Sequence, residues 1–457
     1  MSIKICGFPL NAELWSGLRE CQKRSVETAL TYIKRPVEAL GSKSCLISLP
    51  TGAGKSGVIA VVAHTSPQPR VLVLCHRRAV CDQLIKEISG GFFEALVPGY
   101  EGAKKEVYED VNDTSAPGVY VSTFQKLVSF TPEQLARLKK EIDLIIVDEG
   151  HSEPSPIWKG LVRDAGAHKI VITATPYRND LFQFDVDDSS SYIYTFEEAL
   201  EQKILMDPVF CLAEGDELIK SITMFLQDYP SAKCIVKCKE FGDIEYYYKL
   251  LNEKFSVLAV HEQYVRDPRH NVKVDVPANL RDSEYQVIIH QRKLDEGVDI
   301  PQAKLLILTY AVNSGRELVQ TVGRIVRLYQ DINPIVIECN VNANERMWVN
   351  YRYFDKSLST PAAASKFISS LDVNKLIEIY LDSFPDASYY GNRFLKKFDI
   401  NAFNPEDSLI IPTASICFLN TLDNFDIQAA ADVLYWRSNQ AGELAKHFEV
   451  AGGINII

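Results

Sequence analysis

Short runs of Val, Ile, Leu and Cys recur to about residue 340 of this 457-residue chain, separated by longer polar or helical stretches. Such runs are typical of strands that are buried on both faces of a parallel sheet. Five runs come first, at 45–49, 71–75, 119–122, 142–147 and 170–173, and five more follow at 234–236, 257–260, 285–290, 305–309 and 334–337. The pattern predicts an α/β fold with two successive parallel sheets.

The two sets of strands divide the chain into predicted domains at 1–205 and 206–345. The segment 183–191, near the join, is acidic and rich in serine, and this composition favours an exposed loop. After about Arg346 the alternation of strands and helices fades. We predict that 346–457 form an accessory region of mixed helix and loop, and we find no catalytic motif in it.

Hydrophobic residues make up 46% of the chain, so each predicted domain can bury a core. The net charge of −11, from 49 basic and 60 acidic residues, argues against a generally basic surface that coats nucleic acid. The net charge does not exclude a local basic groove, because only the lining of such a groove contacts phosphate.

The ten cysteines show no regular framework, and the first ten residues lack the features of a secretory signal. No apolar stretch has the length to span a bilayer. These features predict a reduced protein of the cytoplasm. Cys234 and Cys238 have the spacing of half a metal site, but they lie in an apolar run with no second pair nearby, so we interpret them as strand core.

A glycine-containing loop follows the first predicted strand, and a helical stretch follows the loop. Two glycines allow backbone N–H groups to converge on one point, and together with a helix N-terminus they form a polyphosphate site. Lys55 is expected to reach the β- and γ-phosphates of ATP, and the Ser56 hydroxyl to coordinate Mg²⁺. Such loops commonly begin with a glycine, and this chain has Leu49 at that position. The residues of this predicted site are Thr51, Gly52, Ala53, Gly54, Lys55 and Ser56.

The predicted strand at 142–147 ends in two carboxylates, Asp148 and Glu149. Acids at the carboxyl end of a parallel strand face the crevice where ligands bind. Asp148 is expected to hold Mg²⁺, and Glu149 to orient and deprotonate the attacking water. Taken alone, such a pair is equally consistent with a ligand site and with a solvated strand end. Together with the phosphate loop it favours an ATP hydrolase.

These motifs resemble those of superfamily 2 helicases. Asp148-Glu149-Gly150-His151 resembles the DExH box, and the stretch from Val171 to Arg178 resembles the TATPxR form of motif III. The resemblance implies two tandem RecA-like domains, and it implies that His151, Thr173 and Thr175 couple the ATP state to the grip on nucleic acid. Leu18-Arg19-Glu20-Cys21-Gln22 resembles the N-terminal element in which Gln22 reads adenine and Arg19 supports it. A surface glutamine on an amphipathic helix is the alternative.

Two further stretches resemble the motifs that hold the backbone of one nucleic-acid strand. The stretch 74–83 is similar to motif Ia and implies a phosphate contact for Arg77. The stretch 121–127 is similar to motif Ib and implies contacts for Thr123 and Gln125. For Arg77 and its neighbour Arg78, a solvated pair of charges is the alternative.

The second predicted domain contains stretches similar to motifs V and VI. In 294–301 the resemblance assigns Gly297 and Asp299 to the nucleotide site. The spacing of Gln320, Gly323, Arg324 and Arg327 places all four on one face of a helix. Arginines that arrive from a second domain stabilise the charge of phosphoryl transfer by ~10³–10⁵ in rate. Gln320, Arg324 and Arg327 are therefore candidate catalytic residues beside Glu149; a surface helix with two unpaired arginines is the alternative.

The resemblance is strongest to motor subunits of restriction–modification, phage-defence (Hachiman-like) and DNA-repair systems. It implies an ATP-dependent translocase or helicase that acts on DNA, single-stranded or duplex with a single-stranded region. A separate nuclease is the expected partner for cleavage, since the chain shows no convincing nuclease motif of its own. Two alternatives stay open: an ATP-gated sensor that controls a partner nuclease without processive unwinding, and a helicase that remodels RNA.

Overall fold

The computed structural model describes residues 2–100, 104–150, 162–175, 185–277, 280–294, 300–312, 314–339, 343–360, 362–364 and 367. Within these residues the chain forms two seven-stranded parallel sheets and a small N-terminal antiparallel hairpin. All ten predicted strands are present, so the prediction of two tandem parallel α/β units, as in RecA-like domains, is confirmed.

The first sheet is preceded by the hairpin of β1 (Ser2–Ile5) and β2 (Phe8–Asn11). Its own strands lie in the order β5-β6-β4-β7-β8-β3-β9. They are β3 (Ser44–Ser48), β4 (Arg70–Cys75), β5 (Val107–Tyr108), β6 (Gly118–Thr123), β7 (Leu144–Asp148), β8 (His168–Thr173) and β9 (Val186–Ile193). Along β4, Val71 and Val73 enter one core cluster and Leu72 and Leu74 another, so alternate side chains fill the two faces of the sheet.

Helices cover both faces of this sheet: α2 (Glu20–Ile33) and α5 (Arg78–Lys86) pack in one core cluster, and α7 (Phe124–Val128) and α8 (Pro132–Glu141) pack in the other. A π-helical turn, Glu87–Gly91, joins α5 to α6. The helices are α1 (Ala12–Gly17), α2 (Glu20–Ile33), α3 (Val37–Leu40), α4 (Lys55–Thr65), α5 (Arg78–Lys86), α6 (Phe92–Leu96), α7 (Phe124–Val128), α8 (Pro132–Glu141) and α9 (Phe196–Glu201).

The second sheet has the strand order β10-β16-β15-β11-β14-β12-β13. Its strands are β10 (Val209–Leu212), β11 (Lys233–Lys237), β12 (Val257–Val260), β13 (Val272–Lys273), β14 (Val287–His290), β15 (Ala303–Leu308) and β16 (Ile335–Glu338). Its helices are α10 (Gly215–Asp228), α11 (Phe241–Asn252), α12 (Gly315–Val322) and α13 (Ala343–Ser357), with 3₁₀ turns at Glu262–Tyr264 and Leu280–Asp282.

The expectation of an exposed loop at 183–191 is wrong, because β9 occupies most of that segment and pairs in parallel with β3. Its polar side chains have partners: Arg35 donates to the carboxylate of Asp187 and to the hydroxyls of Ser189 and Ser190. A strand at the edge of a sheet tolerates such a composition when its side chains are hydrogen-bonded.

Helix α13 connects the two halves of the molecule. In the second half, the side chain of Asn344, in the first turn of α13, donates to the carbonyl of Tyr310. Asp355 near its end accepts the N–H groups of Phe196 and Glu197 and so caps α9. The helix runs through position 345, where we placed a domain boundary; the division into 1–205, 206–345 and 346–457 stays a prediction.

Cys234 and Cys238 lie buried in the core of the second sheet, as predicted, and the described residues contain no cluster of His, Cys, Asp and Glu suited to a metal ion. All nine cysteines in that part of the chain are free thiols. Among the described helices, none combines the length and the apolar character needed to cross a bilayer.

Candidate active site

The loop between β3 and α4 turns on its two glycines. Gly52 has φ 93° and Gly54 has φ 99°, a left-handed conformation that favours glycine. A Cβ on Gly54 would lie 2.5 Å from Nε2 of Gln22, so space also requires glycine there. Lys55 and Ser56 then open α4, as predicted. The result is a compact loop at a helix N-terminus, the geometry that binds phosphate.

The two acids lie beside this loop. Asp148 is the last residue of β7, and Glu149 follows with φ 50°, an uncommon conformation for a residue other than glycine. Nζ of Lys55 is 2.9 Å from Oε1 of Glu149, and both side chains are largely buried. The phosphate loop and the predicted catalytic base, 94 positions apart in the sequence, therefore meet in one ion pair.

Gln22 and Arg19 hold the same loop from α2. Nε2 of Gln22 donates to the carbonyl of Gly54 at 3.1 Å, and its Oε1 accepts the N–H of Arg19 at 3.0 Å. Nη1 of Arg19 donates to the carbonyl of Gly52 at 3.2 Å. Because Gln22 is only 5% exposed, the alternative of a surface glutamine does not hold.

Thr173 and Thr175 are fully buried at the carboxyl end of β8, between β7 and β3 in the sheet. The N–H of Thr175 donates to Oγ1 of Thr173 at 3.1 Å, which fixes the turn that leaves the strand. This turn lies beside the strand that ends at Asp148 and the strand that enters the phosphate loop, a position suited to sensing both.

The second domain docks directly onto the phosphate loop. A Cβ on Gly323 would lie 2.6 Å from Cβ of Thr51, and a Cβ on Gly52 would lie 2.9 Å from Cγ of Arg327. Leu205 pairs with Arg327 in an isolated antiparallel bridge, and Met206 donates its N–H to the carbonyl of Val326. Glycine on each side of the interface permits this close approach.

The expectation that Gln320, Gly323, Arg324 and Arg327 share one helix face is wrong, because α12 ends at Val322. Gly323 is its C-cap, and a turn carries the chain onward to the bridge at Arg327. Arg324 and Ile325 donate their N–H groups to carbonyls three residues back, those of Thr321 and Val322, so the chain tightens into a turn and the α-helix does not continue. Gln320 stays on α12 and is buried, whereas both arginines follow the helix in a segment that we call the arginine turn, residues 323–327.

The arginine turn places positive charge at the interface. Burial, and after it the charge of Arg19, lowers the pKa of Arg327 to about 10, so the guanidinium stays charged at neutral pH. Burial and then the charges of Lys237, Arg324 and Arg77 hold the pKa of His290 well below its ordinary value. His290 is therefore neutral, and its Nδ1 accepts the N–H of Leu294. The charges of both domains act on this one residue.

The three residues predicted to contact nucleic acid lie at the ends of β4 and β6. Arg77 is the N-cap residue of α5, and its Nη1 donates to the carbonyl of Arg292 in the second domain at 2.9 Å. No pattern along the chain predicts this contact across the interface. Thr123 caps α7 by accepting the N–H of Lys126, and Gln125 is exposed on that helix. His151, Gly297 and Asp299 lie outside the described residues.

Family models match both halves of the chain. The model described as type III restriction enzyme, res subunit, matches residues 16–178, and that described as helicase conserved C-terminal domain matches residues 216–329. Together they cover more than half of the chain. The chain belongs to the superfamily 2 helicases and is related to motors of restriction and repair systems.

Individual relatives are matched over part of their length. The chain is 31% identical over 120 residues to the DNA 3'-5' translocase XPB2 of Sulfurisphaera tokodaii, a match that covers 26% of this chain and 25% of that protein. It is 25% identical over 227 residues to UvrABC system protein B of Borreliella afzelii, covering 46% of this chain and 32% of that protein. The chain thus spans less than half the length of these curated relatives.

Solved structures with a similar fold cover most of the chain at low identity. Dbp5 of S. cerevisiae bound to RNA and ADP BeF3 has a TM-score of 0.51 at 14% identity and covers 79% of this chain and 97% of that chain. A fragment assigned as the HsdR subunit of a type I restriction enzyme from Vibrio vulnificus YJ016 has a TM-score of 0.50 at 19% identity and covers 74% of this chain and 68% of that chain. These likenesses concern the fold alone.

Proposed function

We propose that the chain is an ATP-dependent translocase or helicase that acts on DNA and hydrolyses ATP between its two α/β domains. One observation supports this most: the ion pair of Lys55 with Glu149 lies in the loop region onto which the arginine turn docks. A phosphate-binding cation, a base and a pair of arginines from a second domain are the groups that phosphoryl transfer to water requires.

In this proposal, Lys55 binds the β- and γ-phosphates of ATP, and the N–H groups of the loop hold the rest of the polyphosphate. Glu149 loses its ion pair with Lys55 when the phosphate arrives, and it then accepts the proton of the attacking water. Arg324 and Arg327 face the charge that develops on the transferred phosphoryl group. Gln22 and Arg19 set the shape of the loop. Gln22 reads the adenine edge, and Arg19 supports it.

Ser56 and Asp148 are the residues that would hold Mg²⁺. Their chemistry fits, because Mg²⁺ prefers oxygen ligands and is commonly held by one or two protein groups together with the phosphates of its substrate. The ion supplies charge neutralisation at the β- and γ-phosphate oxygens. Asp148 lies at the strand end beside Glu149, and Ser56 lies in the first turn of α4 beside Lys55.

Three further roles, contact with DNA, coupling and completion of the nucleotide site, are assigned to three groups of residues. Arg77, Thr123 and Gln125 hold the phosphate backbone, and Thr173, Thr175 and His151 transmit the ATP state to them. Gly297 and Asp299 complete the nucleotide site from the second domain. DNA is favoured over RNA because the XPB2 relative is a DNA translocase by its printed name. A separate nuclease as partner, a role in phage defence or DNA repair, and a cytoplasmic location belong to the same proposal.

The test is the rate of ATP hydrolysis by the purified chain alone, with single-stranded DNA, with duplex DNA carrying a single-stranded tail, and with RNA. A strand-separation assay is run on the same substrates. We expect stimulation by DNA above that by RNA. Stronger stimulation by RNA would contradict the DNA assignment and favour the remodelling alternative. DNA-stimulated hydrolysis without strand separation or movement along DNA would replace the motor by an ATP-gated sensor.

Replacing Glu149 by Gln tests the base. The amide keeps the size of the side chain but cannot accept the proton, so turnover should fall by ~10² or more, the contribution of a general base. ATP affinity should be equal to that of the wild type or higher, because ATP no longer has to break the ion pair with Lys55. Turnover is measured by phosphate release and affinity with a fluorescent ATP analogue. Loss of binding together with turnover would assign Glu149 to the fold or the metal instead.

A further inference from the structure

Lys304, the second residue of β15, has a side chain that is 0% exposed. Its Nζ donates to the carbonyl oxygens of Ile325, at 3.3 Å, and Arg327, and it lies 3.7 Å from Sδ of Met206. Burial lowers the pKa of Lys304 to about 8, so the ammonium form is kept at neutral pH in spite of its desolvation. The hydrogen bonds to two carbonyls offset that cost.

Both carbonyls belong to the arginine turn. Beyond Val322 the backbone has left the helix, so its position depends on contacts with other elements. The chain between the domains supplies two of them, the bridge of Leu205 with Arg327 and the hydrogen bond from Met206 to Val326 at 2.8 Å. Lys304 holds the carbonyls on either side of Val326 from within the second domain. It thus joins the sheet, the arginine turn and the interdomain chain at one point.

We propose that Lys304 is a positioning residue for ATP hydrolysis: its ammonium group holds the carbonyls of Ile325 and Arg327 and so sets where the arginine turn meets the phosphate loop. The tolerance at that interface is small, since Gly52 and Gly323 leave no room for a Cβ. A displacement of the turn by a fraction of an ångström moves both guanidinium groups relative to the phosphates. This inference rests on the proposed catalytic role of Arg324 and Arg327.

The chain contains a matched control for Lys304. Lys169 is the second residue of β8 in the first sheet, and its side chain is also buried. Its Nζ donates to two carbonyls as well, those of Gly41 at 3.2 Å and Ala167 at 3.0 Å. These carbonyls lie outside the arginine turn. The two lysines therefore have the same position in their strands, similar burial and the same kind of acceptor. They differ in the segment whose carbonyls they bind, which is the arginine turn only for Lys304.

The experiment compares Lys304→Met, Lys169→Met and Arg324→Ala in the full chain. Methionine fills a similar volume and removes a buried charge, but in each variant it leaves two carbonyls without the hydrogen bonds that the lysine donated, so any change of melting temperature should be similar in both lysine variants. For Lys304→Met we expect turnover with DNA to fall roughly ten- to hundredfold, the scale of a small misplacement of catalytic groups, at nearly unchanged ATP affinity. Lys169→Met should keep wild-type turnover. Lys304→Gln, which retains an N–H donor, should recover part of the lost rate and replaces Lys304→Met if that variant does not fold.

Three results would overturn the inference. Wild-type turnover in Lys304→Met with impaired turnover in Arg324→Ala would show that the arginine turn needs no support from Lys304. Parallel loss of turnover and melting temperature in both lysine variants would assign Lys304 to folding alone. Full turnover in Arg324→Ala would remove the proposed role of the arginine, and the positioning role with it.

Discussion

Lys55→Ala is expected to abolish ATP turnover, with a loss of ~10³ or more in rate, because it removes the cation that neutralises the phosphates as charge develops. Affinity for ATP should fall as well, since a hydrogen bond between charged groups contributes about 1.5–3 kcal/mol. Phosphate release and binding of a fluorescent ATP analogue measure the two effects separately. Lys23→Ala, a half-buried position on α2, is the control and should behave as the wild type.

The ion pair with Glu149 adds a second readout to this prediction. Lys55→Ala leaves the largely buried carboxylate of Glu149 without its cation, so the melting temperature should fall. A double variant, Lys55→Ala with Glu149→Gln, should recover part of that loss while remaining inactive. Near-normal hydrolysis by a folded Lys55→Ala protein would contradict the assignment of the nucleotide site.

The strands of both sheets could be predicted because burial on two faces leaves a direct trace in the sequence. Runs such as those of β4 and β7 are apolar at almost every position, which is what a central parallel strand requires. Strand β9 left no such trace. It lies at the edge of the sheet, and Arg35 from another element satisfies its aspartate and serines. A partner distant in sequence can therefore convert a composition typical of loops into a strand.

The local parts of the candidate site could be predicted for a related reason. The phosphate loop depends on two glycines and a following helix, and the two acids depend on the end of a single strand; each lies within a few residues. The contacts that join these parts across the interface, such as Arg77 with the carbonyl of Arg292 or Gly323 against Thr51, depend on how two domains meet. Spacing along one segment contains no information about that arrangement.

The arginine turn shows the same limit within a single motif. Three- and four-residue spacing placed Gln320, Arg324 and Arg327 on one helix face, and that deduction assumed that the helix continues. Gly323 ends α12, and the buried Ile325 and Val326 then direct the chain towards the bridge with Leu205. Arg327 reaches the phosphate loop through this turn rather than from a helix face, so the placement of both arginines depends on the contacts that hold the turn.

Replacing Arg324 by Ala tests whether the second domain completes the ATP site. Arg324 should act on the charge of the transition state, so turnover should fall by ~10³ or more while ATP binding stays largely intact. Arg327→Ala should lower turnover similarly and should weaken ATP binding more, because Arg327 packs against Gly52 of the phosphate loop. We expect DNA to stimulate the wild type by favouring closure of the domains, and we expect this stimulation to disappear in Arg324→Ala.

Arg316 supplies the matched control for this experiment, since it is an exposed arginine in the first turn of α12. Arg316→Ala removes the same charge from the helix that precedes the arginine turn and should leave turnover and its stimulation by DNA unchanged. If Arg324→Ala lowers the basal rate only slightly and keeps the stimulation, the arginine turn is a docking contact rather than part of the catalytic site. The second sheet would then serve as a binding platform, and ATP hydrolysis would gate a bound partner instead of driving movement along DNA.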